Sequence, residues 1–185
     1  MTMPPSARPN DLLLLAGKVL SIFLQSIMAL ASVVLVIAVG ALLVMRGTII
    51  AEYAEHVGDP EAVFPVFAAV GVVLIGLAIV ASLFVFFGKL RRIIATVGEG
   101  DPFVPANADR LNQMGWLMLG VRLLMFPAMA LGTWLASYAD EMEDVHFSIE
   151  GGLDLSGILL VIILFILARV FRHGAAMRED LEGTV

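Results

Sequence analysis

Arg122 stands inside an otherwise apolar run, MLGVRLLMFP, residues 118–127. A charged side chain within a membrane segment is costly, and it marks a functional position unless it pairs or reaches the surface. Gln25, flanked by Ser21 and Ser26, lies at similar depth in another apolar run and could accept hydrogen bonds from the guanidinium. Arg122 is also only a turn or two past the start of its own run, so its aliphatic stem can carry the charge back to the interface. Snorkelling or a structural contact with Gln25 is the plainer chemistry, and a ligand or lipid-phosphate role the sharper one. No carboxylate occurs within an apolar run, which removes the usual partner of a proton relay.

Other chemistry is sparse. His56, His146 and His173 all fall outside the apolar runs, so no span offers an imidazole to a b-type haem. Together with the nearby acids, His56 and His146 have ligand types suited to a divalent cation. Solvated carboxylates explain those acids equally well, and no metal or cofactor is expected. The chain has no cysteine, which excludes disulfides, thiolate catalysis and Cys-ligated zinc or iron–sulfur sites. It has no nucleophile elbow, Walker loop, dinucleotide fingerprint or paired zinc ligands, and enzymatic activity is not expected.

The second concentration of polar chemistry is KLRRIIATVGEGDPF, residues 89–103, which holds Lys89, Arg91 and Arg92. Leu90, Ile93, Ile94 and Val97 recur at i, i+3, i+4 and i+7, while Arg91, Arg92 and Thr96 point elsewhere, so the stretch predicts an amphipathic continuation of the preceding helix. Gly98 is the expected left-handed stop, and Pro102 disfavours helical conformation at Asp101. Asn107 is the expected N-cap of the next helix, with Leu111, Met114 and Met118 forming its stripe.

These groups must be positioned by membrane helices. The chain is 60% hydrophobic with mean hydropathy +0.97, well above the roughly 45–50% apolar composition of soluble domains. Four blocks satisfy the ~20 apolar residues that cross a hydrocarbon core, at about 19–45, 63–87, 117–138 and 155–170. The first apolar run is longer than the roughly 7–15 residues of a signal-peptide core, and it predicts an uncleaved span. In the third, Pro127 should bend the helix, and Ala128, Gly132 and Ala136 repeat at the small-residue spacing that lets helices pack closely. The stretch VHFSIEGGLDL, residues 145–155, alternates Val145, Phe147 and Ile149 before Gly151 and Gly152, which predicts a small β-hairpin cap between spans three and four.

Charge sorting gives the orientation, because short cytoplasmic loops accumulate Lys and Arg. Arg8 and Lys18 precede span one, Lys89, Arg91, Arg92 and Arg110 separate spans two and three, and Arg169, Arg172 and Arg178 follow span four. The other side is acidic, with Glu52, Glu55, Asp59 and Glu61 in one loop and Asp140, Glu141, Glu143, Asp144, Glu150 and Asp154 in the other; Arg46 is the one Lys or Arg there. The expectation is an all-α membrane protein, a four-helix bundle with both termini cytoplasmic, in a single domain that crosses the inner (cytoplasmic) cell membrane several times. Residues 88–116 form its cytoplasmic loop, 171–185 its cytoplasmic tail, and the cap faces outward. The net charge of −6 would ordinarily argue against nucleic acid as a partner, but the total misleads here because the two signs are segregated along the chain; no direct nucleic-acid binding is expected.

The cytoplasmic unit has two readings. It can be a basic hairpin on anionic lipid headgroups. It can also be a docking surface for a cytoplasmic protein, formed by Arg91, Arg92, Asp101, Pro102, Phe103 and Arg110, with Phe103 as an exposed apolar anchor. The acidic tail, with Glu179, Asp180 and Glu182, is expected to pair with Arg91, Arg92 or Arg110. GEGDPF, NADRLNQMG and the terminal FRHGAAMREDLEGTV together resemble a bacterial and archaeal membrane family known as domain of unknown function 2975, over most of the chain from about span one to Val185. The resemblance implies a four-span protein often encoded beside a small helix-turn-helix regulator, hence a membrane component that restrains or signals to such a regulator. It transfers no catalytic residues. The expected function is a membrane-embedded sensor or regulatory anchor. The alternative is a small transporter or channel subunit, which would need a polar pathway built between subunits of a homo-oligomer, since the spans offer little beyond Gln25, Arg122 and hydroxyls.

Because no native cysteine interferes, Arg92→Cys and Glu143→Cys can report their faces directly. A membrane-impermeant maleimide should label the second in intact cells and the first only after the membrane is opened. Labelling of both from one side would overturn the charge sorting.

Overall fold

The computed structural model describes residues 10–139 and 155–182. These residues form five helices: α1 (Asn10–Val44), α2 (Arg46–Val57), α3 (Val66–Gly98), α4 (Pro105–Ala139) and α5 (Leu155–Glu182). No strand occurs among the described residues. The expected hairpin at 145–152 lies outside them. α1, α3, α4 and α5 are each long and apolar enough to cross a membrane, and the chain is a multi-pass membrane protein. A run of large apolar side chains stands exposed on α1, including Leu13, Leu20, Phe23, Leu30 and Ile37. Soluble monomers rarely leave so many large apolar side chains open to water, so this face is suited to lipid.

The expected spans are embedded in longer helices. Residues 88–116, expected between spans two and three, are helical except at 99–104, and the segment after span four continues as α5 to Glu182. Pro127 sits inside α4 without interrupting it. A proline removes one donor, and the remaining ladder carries the helix past it.

The chain divides into two compact units. The first comprises the described parts of residues 1–28, 83–119 and 156–185. Its core is Ile93 of α3, Leu111 and Met114 of α4, and Leu164 and Ala168 of α5, with Phe86, Leu90, Val97, Met118 and Phe171 packed around them. The α3 and α4 members are the stripes expected from the 3.6-residue period. α1 lies antiparallel to α3 in this unit: Leu14 meets Gly98, Gly17 meets Ile94 and Gln25 meets Gly88. Buried Ser21 satisfies its hydroxyl within α1, donating to the Gly17 carbonyl at 2.7 Å.

The second unit comprises residues 29–82 and the described parts of 120–155. Its unexpected element is α2, which occupies the first acidic loop. Ile49, Ile50, Tyr53 and Ala54 turn one face inward while Glu52, Glu55 and His56 remain exposed. Gly58, at φ 74°, ends the helix in the left-handed region. Buried Tyr53 holds α2 in place through Phe64, at 5.5 Å between ring centroids, and Tyr138 of α4, at 6.2 Å. Trp134 adds its edge to Tyr138 at 5.4 Å. The half-buried Ala128, Gly132 and Ala136 lie on the same helix as this cluster.

The α4–α5 packing in the first unit depends on the absence of a side chain at Gly115. A Cβ placed there would stand 2.9 Å from Phe165 Cε1, and that ring already meets Trp116 edge-on at 5.5 Å. Alanine is the better helix former by about 1 kcal/mol, whereas overpacking a filled contact costs about 1–3 kcal/mol. Gly115→Ala is therefore expected to lower the thermal unfolding midpoint in detergent. Adding Phe165→Leu should restore part of the loss, and a stabilised single variant would refute this packing.

Candidate functional site: the corner and the last helix

The turn at 99–104 is set by paired backbone caps. Asp101 N–H returns to the Thr96 carbonyl at 3.0 Å and Gly100 N–H to the Val97 carbonyl at 3.1 Å. This double closure requires a left-handed residue between them, and Gly100 supplies it at φ 86°. Gly98, the expected stop, is instead the last helical residue. Continuing α3 that far places Val97 against the core and Thr96 within reach of α4. Pro105 then opens α4 at a first-turn position where its missing N–H leaves no bond unmade.

Since α4 begins at Pro105, Asn107 is not its N-cap. It lies inside the first turn, is fully buried, and uses its amide to tie the corner together. Its Nδ2 donates to Thr96 Oγ1 at 2.7 Å and to the Pro102 carbonyl at 2.9 Å, while its Oδ1 accepts from Arg110 Nη1 at 2.7 Å. Thr96 Oγ1 donates onward to the Ile93 carbonyl at 2.8 Å. Thr96 therefore faces the partner helix, contrary to the expectation that it points away. One buried amide joins the end of α3, the turn and the start of α4, with both donors and its oxygen satisfied.

The corner rests on α5. The Phe103 ring packs on Phe171 at 5.3 Å and lies over Gly174, where a Cβ would stand 2.7 Å from Phe103 Cδ1. Phe103 stays 41% exposed, so the expected apolar anchor is half engaged within its own chain. The last helix and the corner also meet through basic residues of α5 and acidic residues of the corner. Arg178 of α5 bonds Asp101, and Arg172 approaches Asp109 at 3.5 Å. Arg110 serves Asn107, Arg91 is half-buried on α3, and Arg92, Glu179 and Asp180 are exposed. Farther along the same helices, Lys89 of α3 bonds Gln113 of α4.

The other sequence candidates lie elsewhere. Gln25 belongs to the first unit, half-buried with Nε2 beside Gly88, whereas Arg122 is half-buried in the second unit. His56 and His173 are exposed. Among the described residues no group of three His, Asp or Glu stands close enough to hold a metal ion, and His146 is outside them.

A family model described as a protein of unknown function, DUF2975, matches residues 50–185. The chain belongs to this family. The DUF2975 match begins inside α2 and covers the corner and all of α5. It therefore starts later than the resemblance read from the sequence, which reached about span one. No curated protein and no solved structure matches the chain.

Sequence reasoning missed Asn107 as a tertiary bracket, Gly174 as the seat of Phe103, and Asp109 as a partner of α5. The run N-A-D-R at 107–110 held a signal, because a buried amide one turn before an arginine can be fully satisfied only by a neighbouring element. Removing a partner so that buried polar atoms are left unmatched costs about 1–3 kcal/mol, whereas exposed ion pairs contribute about 0–1 kcal/mol. Asn107→Ala should therefore speed proteolysis at 99–104 by about 5- to 150-fold if cleavage follows local opening. Arg172→Ala, at a pair exposed on both sides, should leave the rate nearly unchanged. Equal effects of the two would refute the bracket.

Proposed function

We propose that this DUF2975 protein is a membrane-embedded sensor or regulatory anchor. Its corner and last helix form the contact surface for a cytoplasmic partner, in the simplest case a small helix-turn-helix regulator. The observation that carries this reading is the seat of Phe103 on Phe171 and Gly174. α5 runs without a break from its apolar segment to Glu182, so one rigid element touches both bilayer and corner. A displacement of α5 by a ligand, a lipid or a change of membrane state would move Gly174 relative to Phe103 and alter what the corner presents. The accumulation of Lys and Arg beside the corner supports its cytoplasmic placement.

A transporter is less well supported by the polar groups available. Ser21, Ser26, Ser82, Thr133 and Ser137 all donate to carbonyls of their own helices, which leaves few hydroxyl donors for a solute path. The reading assigns no catalytic step.

The test is affinity purification of the full chain from gently solubilised membranes. Repeated recovery of one soluble DNA-binding protein is expected, reduced at least about tenfold, the equivalent of ~1.4 kcal/mol, by Phe103→Asp in a chain of unchanged helix content. Recovery of no such partner, or recovery insensitive to Phe103, would sink the proposal. Solute flux in liposomes abolished by Arg122→Leu would support the transporter instead.

A further inference from the structure

A shallow groove opens on the first unit between α3 and α4, lined by Val85, Lys89, Gln113, Trp116 and Leu117. We propose that this groove is a binding site for an anionic glycerophospholipid, with the phosphate at Lys89 and an acyl chain along Val85, Trp116 and Leu117. Polarity changes along the groove. Lys89 and Gln113 are bonded to each other and so stand at one level. α3 runs toward the corner and α4 runs away from it, so Val85, Trp116 and Leu117 all lie on the side of that level remote from the corner. The groove is therefore polar at the corner end and apolar beyond it, which is the sequence of a lipid from headgroup to chain.

Helix length places that level at a membrane interface. From Val66 to Gly88 α3 is about 34 Å long at 1.5 Å per residue, and from Trp116 to Ala139 α4 is about 36 Å. Each matches the ~30 Å hydrocarbon core, which leaves Lys89 and Gln113 at its edge. Trp116 is 61% exposed, and a tryptophan open to the surface at that depth belongs to the interfacial belt.

Charge complementarity selects an anionic lipid over a zwitterionic one. The Lys89 ammonium carries three donors, and Gln113 Oε1 takes one of them, so two remain for phosphate oxygens. Arg92 is one helical turn on from Lys89 at i+3, on the same face, and exposed, which places a second cation above the first. Phe165, edge-on to the Trp116 indole, holds it in place. The site does not depend on the sensor reading and survives if no protein partner exists.

The chain has two tryptophans, so Trp134→Phe leaves Trp116 as the only indole. That protein is reconstituted in phosphatidylcholine vesicles containing a minor fraction of lipid with brominated acyl chains, which quench a neighbouring indole. Brominated phosphatidylglycerol should quench Trp116 with about a fivefold preference over brominated phosphatidylcholine, the equivalent of the ~1 kcal/mol that one basic residue contributes at an anionic surface. Lys89→Gln should abolish the preference and Lys89→Arg should retain it, so a poorly folded Lys89→Gln chain does not decide the matter alone. Equal quenching by the two lipids before any change at Lys89 would overturn the proposal. A preference that persists in folded Lys89→Gln, or one relieved by inorganic phosphate, would do the same.

Discussion

Hydrocarbon offers no hydrogen-bond partner to a peptide group, so backbone within a bilayer must satisfy itself along a helix. Every feature of this chain follows from where that requirement is lifted. The apolar runs become four long helices, and the described turns, at 58–65 and 99–104, contain the glycines with positive φ, Gly58 and Gly100. At the corner the carbonyls left over from α3 are recovered by Gly100 and Asp101, so even outside the span the backbone closes on itself. The side chains gathered there are accordingly free to join helices to one another.

Asn107 shows how much one such side chain can organise. It is fully buried, yet each of its polar atoms is matched, so burial adds to stability and fixes the geometry at once. The ion pairs around it have a different character. Arg172 and Asp109 are both well exposed, where solvent screening leaves little net energy. Shape and buried polarity therefore hold the corner, and charge chiefly decides which surfaces approach. Phe103 over Gly174 belongs with the first kind, because a ring can come this close only where the helix carries no side chain.

The sequence is a good guide wherever one local rule acts alone. The spans were legible because no other use exists for such long apolar runs, and the α3 and α4 stripes because Ile93, Leu111 and Met114 repeat at helical spacing. α2 was hidden by its acids: Glu52 and Glu55 read as a solvated loop, although Ile49, Ile50 and Tyr53 already marked a buried face. The helix stop was misplaced because two glycines flank Glu99, and what chooses Gly100 is the engagement of Thr96 and Val97 with α4 and α5. Asn107 has the composition of an N-cap, but Pro105 starts the helix earlier and diverts the amide to a tertiary role. The Phe103 seat and the pairing of Arg178 with Asp101 join positions far apart in the chain, and no local pattern records them.

Helix lengths connect these observations. At 1.5 Å per residue α3 and α4 are each about 50 Å long and α5 about 42 Å, all in excess of the ~30 Å core. If Lys89 and Gln113 mark the interface, the α3–α4 hairpin stands clear of the membrane by about nine residues, or ~14 Å. α5 exceeds the core by ~12 Å, and its own end reaches the same corner, since Arg178 bonds Asp101. Phe103 meets α5 at Phe171 and Gly174, and α5 runs on past that contact to Glu182. On that proposed placement, the half-exposed Phe103 and its charged neighbours stand above the lipid while joined to helices that remain in it.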